Sequence, residues 1–165
     1  MTRLAAWVMA VVVLLTACGS GEQGRDAAGD TAAITAALRN FPHDFNTRDY
    51  PALCGLFAED VVLNYPGLTP ESGRDAFCSR MRKTLSDPDK QFSYAEPDIR
   101  EVLVDGDLAT VALTWTLTVT DASGKVVETV KEDGLDVFRR QPDGTWQIHI
   151  SHAFPACGGP GEPAC

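Results

Sequence analysis

Asp136, Tyr65 and His152 are the side chains of this sequence best suited to acid/base chemistry on a small molecule. A carboxyl in an apolar setting can serve as a neutral acid or as an anionic handle for a ligand. Asp136 fits that role. It also fits a solvated strand position beside Glu132 and Asp133, and the sequence leaves both readings open. Tyr65 can offer its hydroxyl to a ligand oxygen, or pack its ring and give the hydroxyl to water. His152 shares strand parity with Trp146, Ile148 and Ile150, the expected buried set. There it could act as a base near neutral pH, or as a satisfied half-buried imidazole. His149 lies three residues away, and odd spacing sends two strand residues to opposite faces, so the pair should not chelate one metal. His43, beside Pro42, has no evident partner. Trp115, on an apolar strand face, reads first as core and second as a ligand contact.

The cysteines carry a different chemistry. Leu15-Thr16-Ala17-Cys18 follows an apolar run of 12 residues, Leu4 to Leu15, that opens after Arg3. Such a run is too short to span a bilayer well and has the layout of an export signal. The four residues resemble the bacterial lipobox. That resemblance implies acylation of the Cys18 thiol and cleavage before it, leaving a chain anchored by lipid to a cell membrane on its extracytoplasmic side. Five cysteines are an odd number for an oxidising compartment, and giving Cys18 to lipid leaves four: Cys54, Cys78, Cys157 and Cys165. The favoured pairing is Cys54 with Cys78 and Cys157 with Cys165. Zinc is the rival, but no pair has the C-x₂-C spacing.

Charge narrows the partners. The net charge is -9, and loss of Arg3 with residues 1–17 makes it -10. Nucleic-acid phosphates demand Lys/Arg clusters, so nucleic acid is not an expected partner. Docking on anionic lipid by charge is disfavoured too, which leaves the lipid on Cys18 as the membrane device. No P-loop, dinucleotide-binding glycine pattern, nucleophile elbow or HExxH is present, and no cofactor or metal is expected.

These residues need elements to position them. Residues 1–17 read as signal, 18–29 as a Gly/Ser-rich tether, 30–155 as one domain and 156–165 as a Gly/Pro-rich tail that a disulfide would tie down. Asp30 or Thr31 can cap a first helix with Ile34, Leu38, Phe41 and Phe45 on its apolar face, which Pro42 should kink or split. Asp49 can cap a short helix over Tyr50 to Phe57. Val61 to Tyr65 reads as a strand, and Ser72 with Asp75 as a capping box before a helix striped by Phe77, Met81 and Leu85. Four strands follow: Phe92 to Val104, Leu108 to Thr120, Val126 to Arg140 and Trp146 to Phe154, separated by Asp105-Gly106, Ser123-Gly124 and Asp143-Gly144. Short connections imply an antiparallel meander. Val111, Leu113, Trp115, Leu117 and Val119 alternate with threonines, so one face is buried, and the helices are the only candidates to cover it.

This order of elements resembles the nuclear transport factor 2-like superfamily, which includes ketosteroid isomerase and the SnoaL-like cyclases. The resemblance covers roughly Thr31 to Phe154 and rests on three stretches: Asn46-Thr47-Arg48-Asp49 with Leu56-Phe57-Ala58-Glu59-Asp60-Val61; Ser72-Gly73-Arg74-Asp75-Ala76; and Val137-Phe138-Arg139-Arg140 with Asp143-Gly144 and Trp146-Gln147-Ile148. It implies an α+β, cone-shaped shell of three helices on a curved antiparallel sheet. A cavity would open at the wide end, lined by Phe41, Phe45, Tyr65, Trp115, Asp136 and His152, and homodimers would form sheet to sheet.

Of the isomerase's chemical set, one group follows. Asp136 precedes Phe138-Arg139 by two, as the family's protonated aspartate does. Tyr65 stands where the base would precede Pro66, and Phe41 stands at the oxyanion-hole tyrosine. An acid without a positioned base cannot move a proton by that route. The expectation is therefore an exported lipoprotein that binds a small apolar ligand or a protein partner without catalysis. The alternative is a cofactor-free acid/base enzyme using Asp136, His152 and Tyr65.

Overall fold

A computed structural model describes residues 26–65 and 69–156. Cys18, residues 18–25 of the expected tether and the Cys157/Cys165 pair lie outside the described residues, whereas residues 27–29 of that tether belong to the first helix.

Helix α1 spans Ala27–Thr47, α2 Tyr50–Gly55 and α3 Arg74–Leu85. The strands are β1 Phe57–Asn64, β2 Glu71–Ser72, β3 Lys90–Tyr94, β4 Asp98–Asp105, β5 Leu108–Asp121, β6 Val126–Arg140 and β7 Trp146–Pro155. They form one sheet in the order β2-β1-β7-β6-β5, and β5 pairs along its outer edge with both β3 and β4. Pairing is antiparallel except between β1 and β7, which run parallel. The three N-terminal helices pack on one face of this curled sheet, so the fold is the expected α+β shell.

Several local expectations are corrected. The cap of α1 is Asp26, whose side chain accepts from the Gly29 amide, so Asp30 falls inside the helix. There it holds the Arg140 guanidinium and, at 3.2 Å, Trp146 Nε1, fastening the helix to the last hairpin. Pro42 does not split α1. The helix continues through it, with Pro42 buried between Phe41 and Phe45, because the packing of this face outweighs one lost backbone bond. Arg48 ends the helix at φ 63°, its amide closing on the Asp44 and Phe45 carbonyls. Asp49 caps α2 as expected, but the helix stops at Gly55 and Phe57 begins the strand. Ser72 does not cap α3. It pairs with Val62 in β2, and Gly73, at φ 92°, is the cap residue with no side-chain bond. The expected strand Phe92 to Val104 is two strands, separated at Ala95-Glu96-Pro97, where Pro97 cannot donate to the ladder.

The core lies between the helices and the inner face of the sheet. Ile34, Leu38, Leu53, Val61, Leu63, Phe77, Val111, Leu113 and Phe138 are fully buried there. Each side chain of this size contributes about 1.5–3 kcal/mol by leaving water. A disulfide joins Cys54 of α2 to Cys78 of α3, with Cα atoms 6.0 Å apart, and holds the two short helices together. In the chain-entropy account a loop of this length contributes roughly 3 kcal/mol. Asn46 and Tyr94 exchange two bonds at 2.9 Å, which docks β3 on the end of α1.

Candidate functional site

Strands β6 and β7 carry the polar end of the site. Their hairpin starts in regular register, with Arg140 opposite Trp146 and Phe138 opposite Ile148. One residue later the register slips: Val137 pairs with Ile150, and His149 is the extra residue of a β-bulge. A bulge reverses which side chains face the core. Ser151, not Ile150, therefore stands opposite Asp136, and both are buried, at 6% and 3% exposure. Tyr65, just past the end of β1, reaches the same spot, and its hydroxyl lies 3.1 Å from that of Ser151.

Electrostatics at this end follow from burial. Loss of solvent pushes the Asp136 carboxyl up to about 7, while the Ser151 hydroxyl pulls it partly back. Burial, and then the neighbouring Asp136 charge, lift the Tyr65 hydroxyl above the ordinary phenol range. Tyr94 is lifted too, by burial and then by Glu132. Burial also raises the Glu132 carboxyl. Near neutral pH, Tyr65 and Tyr94 are therefore donors, and Asp136 is split between its acid and its carboxylate.

These groups border a cavity of about 70 Å³ whose apolar walls include Phe41, Phe57, Phe77 and Trp115. By this measure one water needs roughly 10–15 Å³, so the space takes on the order of five water-sized groups. A second, larger chamber of about 250 Å³ adjoins it, with Phe45, Leu85, Phe92 and Leu117 in its walls. Tyr65, Phe77, Met81, Tyr94 and Glu132 line both. The result is a passage with a small polar inner end and a wider apolar outer part. Helix α3 supplies the wall common to both through Phe77 and Met81, and the disulfide at Cys78 fixes that helix.

The expected site residues divide between these parts. Phe41, Tyr65, Trp115, Asp136 and His152 border the inner chamber, and Phe45 borders the outer one. Phe41 and Trp115 narrow the inner space, with ring centroids 5.0 Å apart. His152 shares the parity of the outward residues beyond the bulge. It pairs with exposed Leu135, and its ring stacks on exposed Phe154 at 6.4 Å. His149 faces Asp60, which Arg139 holds at 2.6 Å and keeps below the usual carboxylate range. The two histidines thus do not converge. Among the described residues no group of three or more His, Cys, Asp or Glu could hold a metal ion.

Ser151, Glu132, Tyr94 and Gly134 belong to the site and were not singled out in the sequence. Glu132 and Gly134 were open to discovery, since both share the parity of Asp136 on β6. Ser151 was hidden by the bulge.

The SnoaL-like domain model matches residues 38–149 of the chain. A conserved protein from Planctomyces limnophilus superposes with a TM-score of 0.68 at 22% identity, covering 78% of this chain and 99% of its own. A ketosteroid isomerase-like protein from Erwinia carotovora atroseptica gives 0.64 at 26% identity, covering 77% and 96%. A nuclear transport factor 2-like superfamily protein from Salmonella enterica gives 0.67 at 19% identity, covering 83% and 99%. No curated protein matches the chain.

Proposed function

This chain belongs to the SnoaL-like domain family, and we propose that it is an exported, lipid-anchored protein whose domain binds a small, largely apolar molecule with one hydrogen-bonding end. The observation that carries this reading is the division of the cavity. Asp136, Ser151 and Tyr65 gather at the small inner chamber, and the larger adjoining chamber is walled mainly by apolar side chains. Such a shape suits a ligand whose single polar group is recognised at depth while its body displaces water from Phe45, Phe92 and Leu117.

Binding without conversion is supported by what stands near Asp136. Tyr65 occupies the position before Pro66, and a hydroxyl held above the phenol range is no base at neutral pH. His152 stacks outward on Phe154 instead of facing the carboxyl. A second reading, a cofactor-free acid/base enzyme, is favoured by one observation: Glu132 and Asp136 border the same cavity and burial raises both. Native mass spectrometry of the detergent-extracted protein tests the first reading. A non-covalent small-molecule adduct, recovered unchanged after prolonged incubation, supports it. Conversion of the recovered molecule by fresh protein would move the account to the enzyme.

The anchor is supported by the sequence Leu15-Thr16-Ala17-Cys18. The same spectrum should show an acylated N-terminal cysteine, and an unmodified one contradicts the anchor. A sheet-to-sheet homodimer is proposed as well, supported by Val62, Leu135 and Phe154, which are exposed on the sheet face away from the helices. Sedimentation would show a single monomer species if that is wrong.

A further inference from the structure

The inner chamber combines two features that together discriminate among ligand heads. Its walls are aromatic, and its ionisable groups are acidic. Phe41, Tyr94 and Trp115 touch one another with centroids 5.0–5.6 Å apart and mutual tilts of 54–62°, and together form one aromatic wall of the chamber. Glu132 and Asp136 border the same space. Among the described residues of this chamber there is no lysine or arginine. Arg80, in the outer chamber, is occupied by Glu71 at 2.7 Å.

Each class of ligand head fares differently here. A carboxylate or phosphate would meet two acidic groups and no paired cation, and would have to be buried without compensation. A neutral hydroxyl or carbonyl could take one hydrogen bond and leave the carboxyls as they stand. A cation would neutralise a carboxylate that burial otherwise penalises, and would lie beside aromatic walls, where any attraction to a ring grows when water is removed.

From the cavity's make-up we propose that the ligand is an organic amine: a protonated nitrogen held by Asp136 beside the aromatic wall of Phe41, Tyr94 and Trp115, with an apolar body in the outer chamber. This rests on the binding reading above and names its ligand class. On binding, the Asp136 proton leaves to solvent and the ammonium takes its place, so charge balances within the cavity. The other groups facing Asp136 are Tyr65 and Ser151, which stay neutral donors, and Glu132 and His152 border the same space. The proton release gives the proposal a signature of its own: affinity for the amine rises as pH increases through the Asp136 titration, while the amine itself keeps its charge.

Isothermal titration of the full chain in lipid nanodiscs tests it with three probes that share a skeleton: 2-phenylethylammonium, 2-phenylethanol and phenylacetate. At pH 8 the ammonium should bind at least about tenfold tighter than the alcohol, the effect of roughly 1.4 kcal/mol, and phenylacetate weakest of all. Asp136→Asn should remove that tenfold preference. Glu132→Gln, as a second variant, should narrow the same preference. Equal or tighter binding of the alcohol or of phenylacetate overturns the proposal and leaves the binding reading in place. Failure of all three probes overturns it as well, and the neutral dye Nile red, titrated in parallel, then shows whether the cavity binds anything.

Discussion

Ser151 stands directly opposite Asp136 because His149, two residues earlier, is bulged out of the β6–β7 ladder. Without that bulge the inward partner of Asp136 would be Ile150, and the carboxyl would have no hydroxyl beside it. The bulge thus creates the polar end of the cavity, where a buried carboxyl couples folding and binding to pH.

Asp136 should make stability fall as pH rises. Its carboxyl is held at about 7 in the folded chain, against an ordinary value of 3.8. The folded state therefore binds more protons in that window, and stability present below pH 4 is lost up to pH 7. The upper limit of the effect is on the order of 4 kcal/mol. Glu132 acts in the same direction, and Asp60 acts oppositely. A single substitution isolates the contribution: urea unfolding of Asp136→Asn and wild type should diverge, with the variant gaining relative stability from pH 5 to pH 8. A constant difference would mean that Asp136 is ionised throughout.

The Cys54–Cys78 bridge should matter to the cavity as well as to stability. Replacing both cysteines by alanine removes roughly 3 kcal/mol in the loop-entropy account. Since Phe77 and Met81 on the same helix line the cavity, ligand affinity should fall in the doubly substituted chain even under conditions where it is folded. Circular dichroism in urea and ligand titration measure the two effects. Unchanged stability under reduction would mean the bridge is not formed.

Asp30 should be a stronger stabiliser than the helix cap. Asp30→Ala strips partners from Arg140 and Trp146, both largely buried, and should cost about 1–3 kcal/mol. Asp26→Ala removes the bond to the Gly29 amide, and should cost about 1 kcal/mol. Chemical denaturation of the two variants ranks them, and a reversed order would contradict the fastening role.

The fold was legible where one physical signal dominated. Val111 to Val119 alternates over a long strand, and no competing pattern disturbs it. The glycines of the three turn pairs occupy positive φ, at 62°, 82° and 88°, as their positions in tight turns require. Phe77 shows the same for α3, since it is buried while Met81 and Leu85 of its stripe pack half-buried against the core. The site was less legible. A parity count along β7 assumes an unbroken ladder, and nothing local in Ile148-His149-Ile150 announces a bulge. The count placed His152 inside and overlooked Ser151. Asp30 misled for a related reason: a residue able to cap a helix is also able to hold an arginine, and only the position of Arg140 in space decides between them. Phe41 and Trp115 were readable because each lies on an element that is regular around it, whereas Asp136, next to the register slip, stayed open between a cavity and a solvated position.

Gly134 offers the most direct test of the cavity. A Cβ built there would lie 3.4 Å from Leu113 and 3.7 Å from Trp115, ordinary contact for the first carbon. Gly134→Ala should therefore fold with stability within about 1 kcal/mol of wild type, and Gly134→Leu should push a side chain into the inner chamber. Titration of wild type, Gly134→Ala and Gly134→Leu with Nile red in nanodiscs reads the central claim. The account predicts saturable binding to wild type, weaker binding to the alanine variant and none to a folded leucine variant. Equal binding by all three would show that the cavity between Asp136 and Phe45 is not the ligand site.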